Sequence, residues 1–165
     1  MIEIFADCSY RHSRHRCSYT VYDTHYRTFY TTKESHKFFT DGSAVGELKA
    51  IYNAVEHMIK MIELNVDDHF IIYNDDITNV RVLQENNMIL MANRGLQYQF
   101  LAALIMTIVN EHKKKGIIIS FRYTNRRQHE EMRLVDNISF YHLKNKSLKF
   151  ALIGAKVPHN GIVIC

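Results

Sequence analysis

The first third of the chain is a succession of short apolar and β-prone segments. Residues 2–9 form an apolar run that reaches a polar stop at Asp7, which is the pattern of a buried first strand. Two segments rich in Tyr and Thr follow at 18–23 and 26–33, and both partly alternate between polar and apolar residues. Such segments favour strands, and the short polar connection at 23–25 favours a hairpin between them. The pattern therefore predicts a three-stranded antiparallel meander.

The rest of the chain alternates between helical and strand patterns. Asp41-Gly42-Ser43 is a turn and helix-start signal. Apolar residues then recur at helical spacing, which predicts an amphipathic helix over about 44–63. A further helix is predicted over about 95–113, with one apolar face made of Leu96, Phe100, Leu104 and Ile108. The remaining predicted elements are a strand at 70–73, a helical stretch at about 77–91, a strand at 117–121 and a helix at about 129–143.

This order of elements predicts an α/β fold. A meander followed by alternating helices and strands indicates a mixed five-stranded sheet, in which three antiparallel strands are joined by two parallel strands and helices pack on both faces. We expect a single domain over residues 1–165, with its core at about 2–143. Residues 144–165 are predicted to be a C-terminal appendix with one or two short strands.

Composition narrows the class of protein without naming a function. The chain has 165 residues, of which 47% are hydrophobic and 23% charged, and this is typical of a globular domain. No apolar run is long enough to span a membrane, and the N-terminus lacks the pattern of a signal peptide. Three cysteines, an odd and small number, do not indicate a disulfide framework and favour a reducing, cytoplasmic location. The formal net charge of +4 suits a polyanionic partner.

Four acidic residues occupy positions from which they can converge. Asp7 and Asp75 lie where two predicted buried strands end, and functional sites in open α/β sheets gather at the carboxyl ends of strands. Glu47 in the first long helix and Asp136 in the last helix both border core-facing residues. Such a group of carboxylates is stable at neutral pH only when cations neutralise it. Oxygen ligands favour hard ions, so the sequence predicts two Mg²⁺ or Mn²⁺ ions.

Each of these acids also has an ordinary structural explanation. The aspartate that ends the first strand could be a turn residue. Asp75 could simply begin the next helix, with Asp76 as the ligand instead. Glu47 could do no more than favour the dipole at a helix N-terminus. Asp136 could be a surface acid that pairs with Arg133. The order and context of the four acids together favour the metal site.

Four segments carrying these acids resemble the ribonuclease H family. Ile4-Phe5-Ala6-Asp7-Cys8-Ser9 is similar to the family's first strand, in which an Asp is followed after one residue by Ser. Gly46-Glu47-Leu48-Lys49-Ala50-Ile51 resembles its helix motif, and Phe70-Ile71-Ile72-Tyr73-Asn74-Asp75-Asp76 resembles its fourth strand. Asp136, which comes after the last strand, resembles the final acid at the start of the family's last helix. The resemblance covers residues 2–143 and implies a ribonuclease H-like fold.

The resemblance also implies roles for individual residues. Asp7, Glu47, Asp75 and Asp136 would hold the two metal ions. The family carries a His in the loop before the last acid that helps proton transfer or product release, and His129 is the candidate for this role. The chain departs from the family at Cys8, where Gly is common, and it has no Trp, so the Trp-rich basic insertion of some members is absent.

Basic residues near the predicted site are candidates for binding phosphates. In the resembling fold, the loop after the first strand lies near the substrate backbone. In this chain, a second loop near the predicted site carries two further arginines. The candidate nucleic-acid-binding residues are Ser9, Arg11, Arg14, Arg16, Arg126 and Arg127. A rival interpretation of the first loop is a Cys₂His₂ zinc site made of Cys8, His12, His15 and Cys17, although this spacing fits no common zinc motif.

The predicted function is that of a metal-dependent endonuclease. It would hydrolyse the RNA strand of RNA–DNA hybrids by a two-metal-ion mechanism. Two alternatives remain open on the same fold. One is a structure-selective DNA nuclease or resolvase. The other is a module that binds nucleic acid without turnover.

Overall fold

The strands form one mixed sheet at the centre of the molecule. The computed structural model describes residues 1–11, 16–35 and 42–165, and Asp41 of the predicted helix-start signal lies outside them. In these residues the strands are β1 (Ile2–Arg11), β2 (Arg16–Asp23), β3 (Phe29–Ser35), β4 (His69–Asn74), β5 (Ile118–Tyr123) and β6 (Ile162–Ile164). Their order across the sheet is β5-β4-β1-β2-β3-β6.

The predicted pairing of the strands is confirmed, and the predicted number is wrong by one. β1, β2 and β3 form the antiparallel meander, and β4 and β5 extend the sheet in parallel with β1. The sixth strand comes from the C-terminal segment, where β6 pairs parallel with β3. The three residues of β6 pair their backbone hydrogen-bonding groups with the edge of the sheet. Part of the predicted appendix therefore belongs to the main sheet.

Helices cover both faces of the sheet, as predicted. They are α1 (Gly42–Glu63), α2 (Ile77–Glu85), α3 (Met88–Ala92), α4 (Leu96–Lys114) and α5 (Glu130–Leu143), followed by a 3₁₀ helix at Leu148–Leu152. Successive residues of β1 alternate between the faces. Ile2, Ile4 and Ala6 pack into the core formed with α1 and α4. Phe5 packs into the second core, formed with α5.

The helical stretch predicted over about 77–91 is divided in two. Asn86 adopts a left-handed backbone with φ of 50° and ends α2. The side chain of Asn87 then accepts a hydrogen bond from the backbone N–H of Leu90 and caps α3. Asparagine tolerates the left-handed region and is a good N-cap, so the pair Asn86-Asn87 marks a helix boundary.

Helix α4 packs through a different face from the apolar one found in the sequence. Leu96 and Phe100 are each 82% exposed and Leu104 is 43% exposed. The buried residues are instead Tyr98, Ala102, Ile105 and Val109. The helix carries two apolar stripes, and the one containing the small Ala102 faces α1, where it permits close packing of the two helices. Among the described residues, no helix is both long and apolar enough to cross a membrane.

Candidate metal centre

The sheet register places the two strand-end aspartates side by side. β1 and β4 run parallel, and Phe5 lies opposite Tyr73. Asp7 follows Phe5 by two residues within β1, and Asp75 follows Tyr73 by two residues, directly after the end of β4. Because parallel strands keep their register, the carboxylates emerge at the same place along the sheet. The convergence expected from the sequence therefore follows from the pairing of these two strands.

A close contact between helix α1 and the sheet brings Glu47 to the aspartates. Gly46 lies over Cys8 and Cys17, whose side chains form a disulfide between β1 and β2. A Cβ atom at Gly46 would lie 2.9 Å from the sulfur of Cys8 and 3.2 Å from that of Cys17. Only a glycine therefore allows the first turns of α1 to lie this close to β1, with Glu47 next to Asp7.

The disulfide corrects the prediction for the cysteines. The expectation that they would be unpaired is wrong for Cys8 and Cys17, because antiparallel pairing of β1 and β2 brings the two side chains to the same face of the sheet. Cys165 is free and exposed. The alternative zinc site loses its two thiolates to this bond, and His12 and His15 lie outside the described residues.

Three of the four predicted acids form one cluster. One carboxylate oxygen from each of Asp7, Glu47 and Asp75 lies within 4.8 Å of the others. Asp7 is 2% exposed, whereas Asp75 lies at the surface. The cluster is thus a nest with a buried floor and an open side.

The nest raises the pKa of every acid in it. Burial, then the charges of Glu47, Asp75 and Asp136, hold the pKa of Asp7 well above its usual range. Burial, followed by the charge of Asp75, raises the pKa of Glu47 to about 8. The pKa of Asp75 is raised by burial and then by Asp136. Without a cation, the folded protein therefore retains protons on acids that are ionised in the unfolded chain at neutral pH.

The donor set fits a hard divalent cation. Within the described part of the chain, the Oε2 atom of Glu47 is buried and has no hydrogen-bond partner. A buried carboxylate oxygen without a partner is costly unless it ligates an ion. All the donor atoms of the cluster are carboxylate oxygens, which Mg²⁺ and Mn²⁺ prefer over soft ligands.

Solved structures share this arrangement of sheet and helices, although no family model and no curated protein matches the chain. LC11-RNase H1 in complex with an RNA/DNA hybrid aligns with a TM-score of 0.68 at 15% identity, over 88% of this chain and 98% of that one. The RNase H1 of the archaeon Halobacterium salinarum NRC-1 aligns with a TM-score of 0.54 at 11% identity, over 87% and 98% of the two chains. The N-terminal RNase H domain of Rv2228c from Mycobacterium tuberculosis aligns with a TM-score of 0.55 at 12% identity, over 93% of this chain and 97% of that one.

The chain has a ribonuclease H-like fold. Within this fold, Asp136 lies at the edge of the nest. It influences the pKa of Asp7 and Asp75 electrostatically, while its Oδ2 atom lies 3.0 Å from the Nη1 atom of Arg126. Arg133, which the sequence suggested as the partner of Asp136, instead forms an ion pair with Glu130. Asp136 therefore adds negative charge to the centre from outside the three-residue cluster.

Asp76, the alternative ligand, has a structural role in the ribonuclease H-like fold. Its side chain accepts a hydrogen bond of 3.0 Å from the backbone N–H of Asn79 and caps α2. This capping role accounts for Asp76 and leaves Asp75 as the member of the pair that points into the nest.

His129 lies at the N-cap of α5, away from the carboxylates in its described contacts. Its Nδ1 atom shares a hydrogen bond of 2.5 Å with Oγ1 of Thr124. Its ring packs against Phe5 and Tyr73, with centroid distances of 5.3 and 5.0 Å. Asp136 follows it by seven positions along the helix, which is a rise of about 10 Å. The contacts of His129 fix the start of α5 onto the sheet.

The other predicted nucleic-acid-binding residues lie at the carboxyl end of β1, at the start of β2 and in the loop before α5. Ser9 lies in β1 two residues beyond the first aspartate, and Arg11 and Arg16 face each other where β1 and β2 approach their connecting loop. Arg14 lies outside the described residues. Arg127 is exposed in the loop before α5. No contact described for these residues joins them to the nest.

Asn74 is a residue of the centre that sequence reasoning did not single out. Its Nδ2 atom donates to the backbone carbonyl of Ala6 at 2.9 Å, and its Oδ1 atom accepts from the backbone N–H of Asp76 at 3.0 Å. It also hydrogen-bonds to Glu47 and so partly offsets the rise in the pKa of that acid. Asn74 is 1% exposed. The signal in the sequence was a polar amide closing an apolar strand.

Proposed function

We propose that the protein is a metal-dependent endonuclease that hydrolyses the RNA strand of RNA–DNA hybrids. The observation that carries the proposal is the carboxylate nest, with its three acids in reach of one another and the unpartnered Oε2 atom of Glu47. Asp7, Glu47 and Asp75 would hold Mg²⁺ or Mn²⁺, and Asp136 would complete the site for two ions. When bound, such ions supply activation of water and stabilisation of the departing oxygen of a phosphodiester.

The preference for a hybrid is supported by fold similarity. The structure of LC11-RNase H1, which aligns over 88% of this chain, contains an RNA/DNA hybrid. The open side of the nest at Asp75 gives a phosphodiester access to the acids. Arg11, Arg16 and Arg127, exposed or partly exposed, would neutralise backbone phosphates, and this binding should weaken as salt rises. The same proposed surface includes Ser9, and also Arg14, which lies outside the described residues.

The chain's own residues have distinct tasks in this proposal. Asn74 holds the carboxylate of Glu47 and ties the ends of β1 and β4 together. Arg126 restrains Asp136 at the edge of the centre. His129 would move a proton or help product release, and for this its ring must leave the hydrogen bond with Thr124.

Cleavage of a labelled hybrid tests the proposal. Asp7→Asn removes one ligand charge but keeps the shape of the side chain, so activity in Mg²⁺ or Mn²⁺ should fall by orders of magnitude, about 10³-fold or more. Glu85→Gln, a change at an exposed acid of α2, is the matched control and should retain activity. Circular dichroism would show that both variants are folded. Undiminished cutting by the Asp7→Asn variant would exclude the assigned centre.

Two further substrates separate the alternatives. Preferential cutting of duplex DNA or a four-way junction would replace the hybrid with a structure-selective DNA substrate. Binding of a hybrid without metal-dependent cleavage would identify a binding module. A cytoplasmic location remains a prediction from the small number of cysteines, and the disulfide between Cys8 and Cys17 counts against a strictly reducing environment.

A further inference from the structure

The C-terminal part of the chain carries a one-sided charge. No Asp or Glu follows Asp136 in the sequence, whereas four lysines do, and their number equals the formal net charge of +4 of the whole protein. These lysines are Lys144, Lys146, Lys149 and Lys156. A segment with cations and no acids of its own favours a polyanionic partner.

Exposed aromatic rings lie among these lysines. Phe140 is 42% exposed. The Nζ atoms of Lys144 and Lys146 lie 5.5 and 5.8 Å from the centre of its ring. Lys146 also lies 5.7 Å from the ring of Tyr141. The end of α5 therefore presents an exposed apolar ring with two ammonium groups within cation–π distance of it.

The 3₁₀ helix repeats this arrangement. Phe150 is 54% exposed, and the Nζ atom of Lys149 lies 5.5 Å from its ring. A further cation comes from β3, where Lys33 donates hydrogen bonds to the side-chain oxygen of Asn145 at 2.5 Å and to the carbonyl of His142 at 3.3 Å. This link fixes the loop after α5 against the sheet. We call Phe140, Tyr141, Lys144, Lys146, Lys149 and Phe150 the lysine–aromatic surface.

The lysine–aromatic surface begins next to the metal centre. Phe140 follows Asp136 by four residues in α5, so the two side chains lie on the same face of the helix, about 6 Å apart at their Cβ atoms. Asp136 and Phe140 therefore place the edge of the metal centre and the exposed ring on one face of α5.

We propose that the lysine–aromatic surface binds a single-stranded extension of the nucleic acid whose phosphodiester lies in the metal centre. Exposed rings stack on unpaired bases, whereas bases inside a duplex already stack on each other. The lysines between the rings neutralise the phosphates of the same strand. The proposal rests on the proposed function for the position of the strand, and it concerns binding outside the carboxylates.

Equilibrium binding in EDTA tests this without requiring cleavage. The probes are a short blunt RNA–DNA hybrid and the same duplex with a single-stranded tail at each of its ends in turn. One of the tails should raise the affinity of the unsubstituted protein by about tenfold, the effect of one or two stacked bases. Phe140→Ala should lose most of that gain and leave binding of the blunt hybrid unchanged. Phe140→Tyr should retain the gain.

Two control variants are needed. One tests whether loss of any exposed ring has the same effect as loss of Phe140, and the other measures the contribution of the lysines' charge. Phe100→Ala removes an 82% exposed ring on α4, away from this surface, and should keep the full gain from the tail. The double change Lys144→Gln and Lys146→Gln should reduce the salt dependence of tailed-hybrid binding by about two counterions. Equal affinity for blunt and tailed hybrids, or equal losses in the Phe140→Ala and Phe100→Ala variants, would overturn the proposal.

The result can be told apart from the fate of the proposed function. A tail effect lost in Phe140→Ala supports the surface even if the protein cuts no hybrid. Active cleavage with no tail effect refutes the surface and leaves the metal centre standing. If Phe140 is instead a contact for another protein, blunt and tailed hybrids will bind with equal affinity, and this result also refutes the proposed surface.

Discussion

Replacing Glu47 with Gln should stabilise the metal-free protein at alkaline pH and change its stability little at pH 5. The carboxyl of Glu47 has a pKa raised from 4.5 to about 8, first by burial and then by the charge of Asp75. Between pH 4.5 and about pH 8, the unfolded chain has lost the proton of this carboxyl and the folded chain has kept it. Stability therefore falls as pH rises through this interval, and the loss is complete above about pH 8.

The size of the effect follows from the same interval. Each pH unit across which folding takes up one proton costs about 1.4 kcal/mol of stability. From 4.5 to about 8, this gives an upper bound on the order of 5 kcal/mol, and screening at the open side of the nest reduces it to about 2–4 kcal/mol. Glutamine has nearly the same shape and no charge. It also removes the acid that contributes the largest charge effect on Asp7.

Urea unfolding in EDTA, followed by circular dichroism, measures the free energy of unfolding at pH 5 and at pH 9. We expect Glu47→Gln to flatten the decline in stability between the two pH values. Saturating Mg²⁺ should stabilise the unsubstituted protein by about 2–3 kcal/mol at a hundredfold excess over Kd, and should stabilise the variant less. Glu85→Gln, whose carboxylate is half exposed, should follow the unsubstituted protein within about 0.5 kcal/mol. Parallel pH curves for the Glu47→Gln and unsubstituted proteins would refute the reasoning.

Three further changes test the surroundings of the centre. Gly46→Ala should destabilise the protein by about 1–3 kcal/mol in urea unfolding, because its Cβ would lie 2.9 Å from the sulfur of Cys8; a stabilising effect would contradict the close packing. Reduction of the disulfide between Cys8 and Cys17, nine residues apart, should cost about 2–3 kcal/mol in the same assay, and a smaller loss in a Cys17→Ser variant on reduction is the control. Arg126→Ala should change folding stability by less than about 1 kcal/mol, because its pair with Asp136 is partly exposed; a larger loss would show that the pair supports the fold.

Local patterns were sufficient for most of the fold. The core stripe of α1 was visible in the spacing of Leu48, Ile51 and Val55, all fully buried. The meander and the two parallel strands were also predicted from short segments. These predictions succeeded because alternation and helical spacing are properties of neighbouring residues. The sixth strand was harder, since its three residues form a strand only by pairing with β3.

The candidate site was predicted in part for a related reason. Asp7, Glu47 and Asp75 could be named because each closes or begins a predicted element. Asn74 was passed over, since its three hydrogen-bond partners lie in β1, at the N-cap of α2 and in α1. The position of Asp136 relative to Arg126 depends on how the loop before α5 folds back onto the helix. No local pattern encodes that distance.

By itself, the sequence determined the order of the elements, the acids at their ends and the excess of lysine after Asp136. Only the tertiary structure decided which of these acids meet, which stripe of α4 is buried and which cysteines pair. The physical reason is that local spacing fixes the direction of a side chain within its own element. Contacts between elements depend on strand register and on close packing such as that of Gly46 against the disulfide. The nest of three carboxylates is a product of that register.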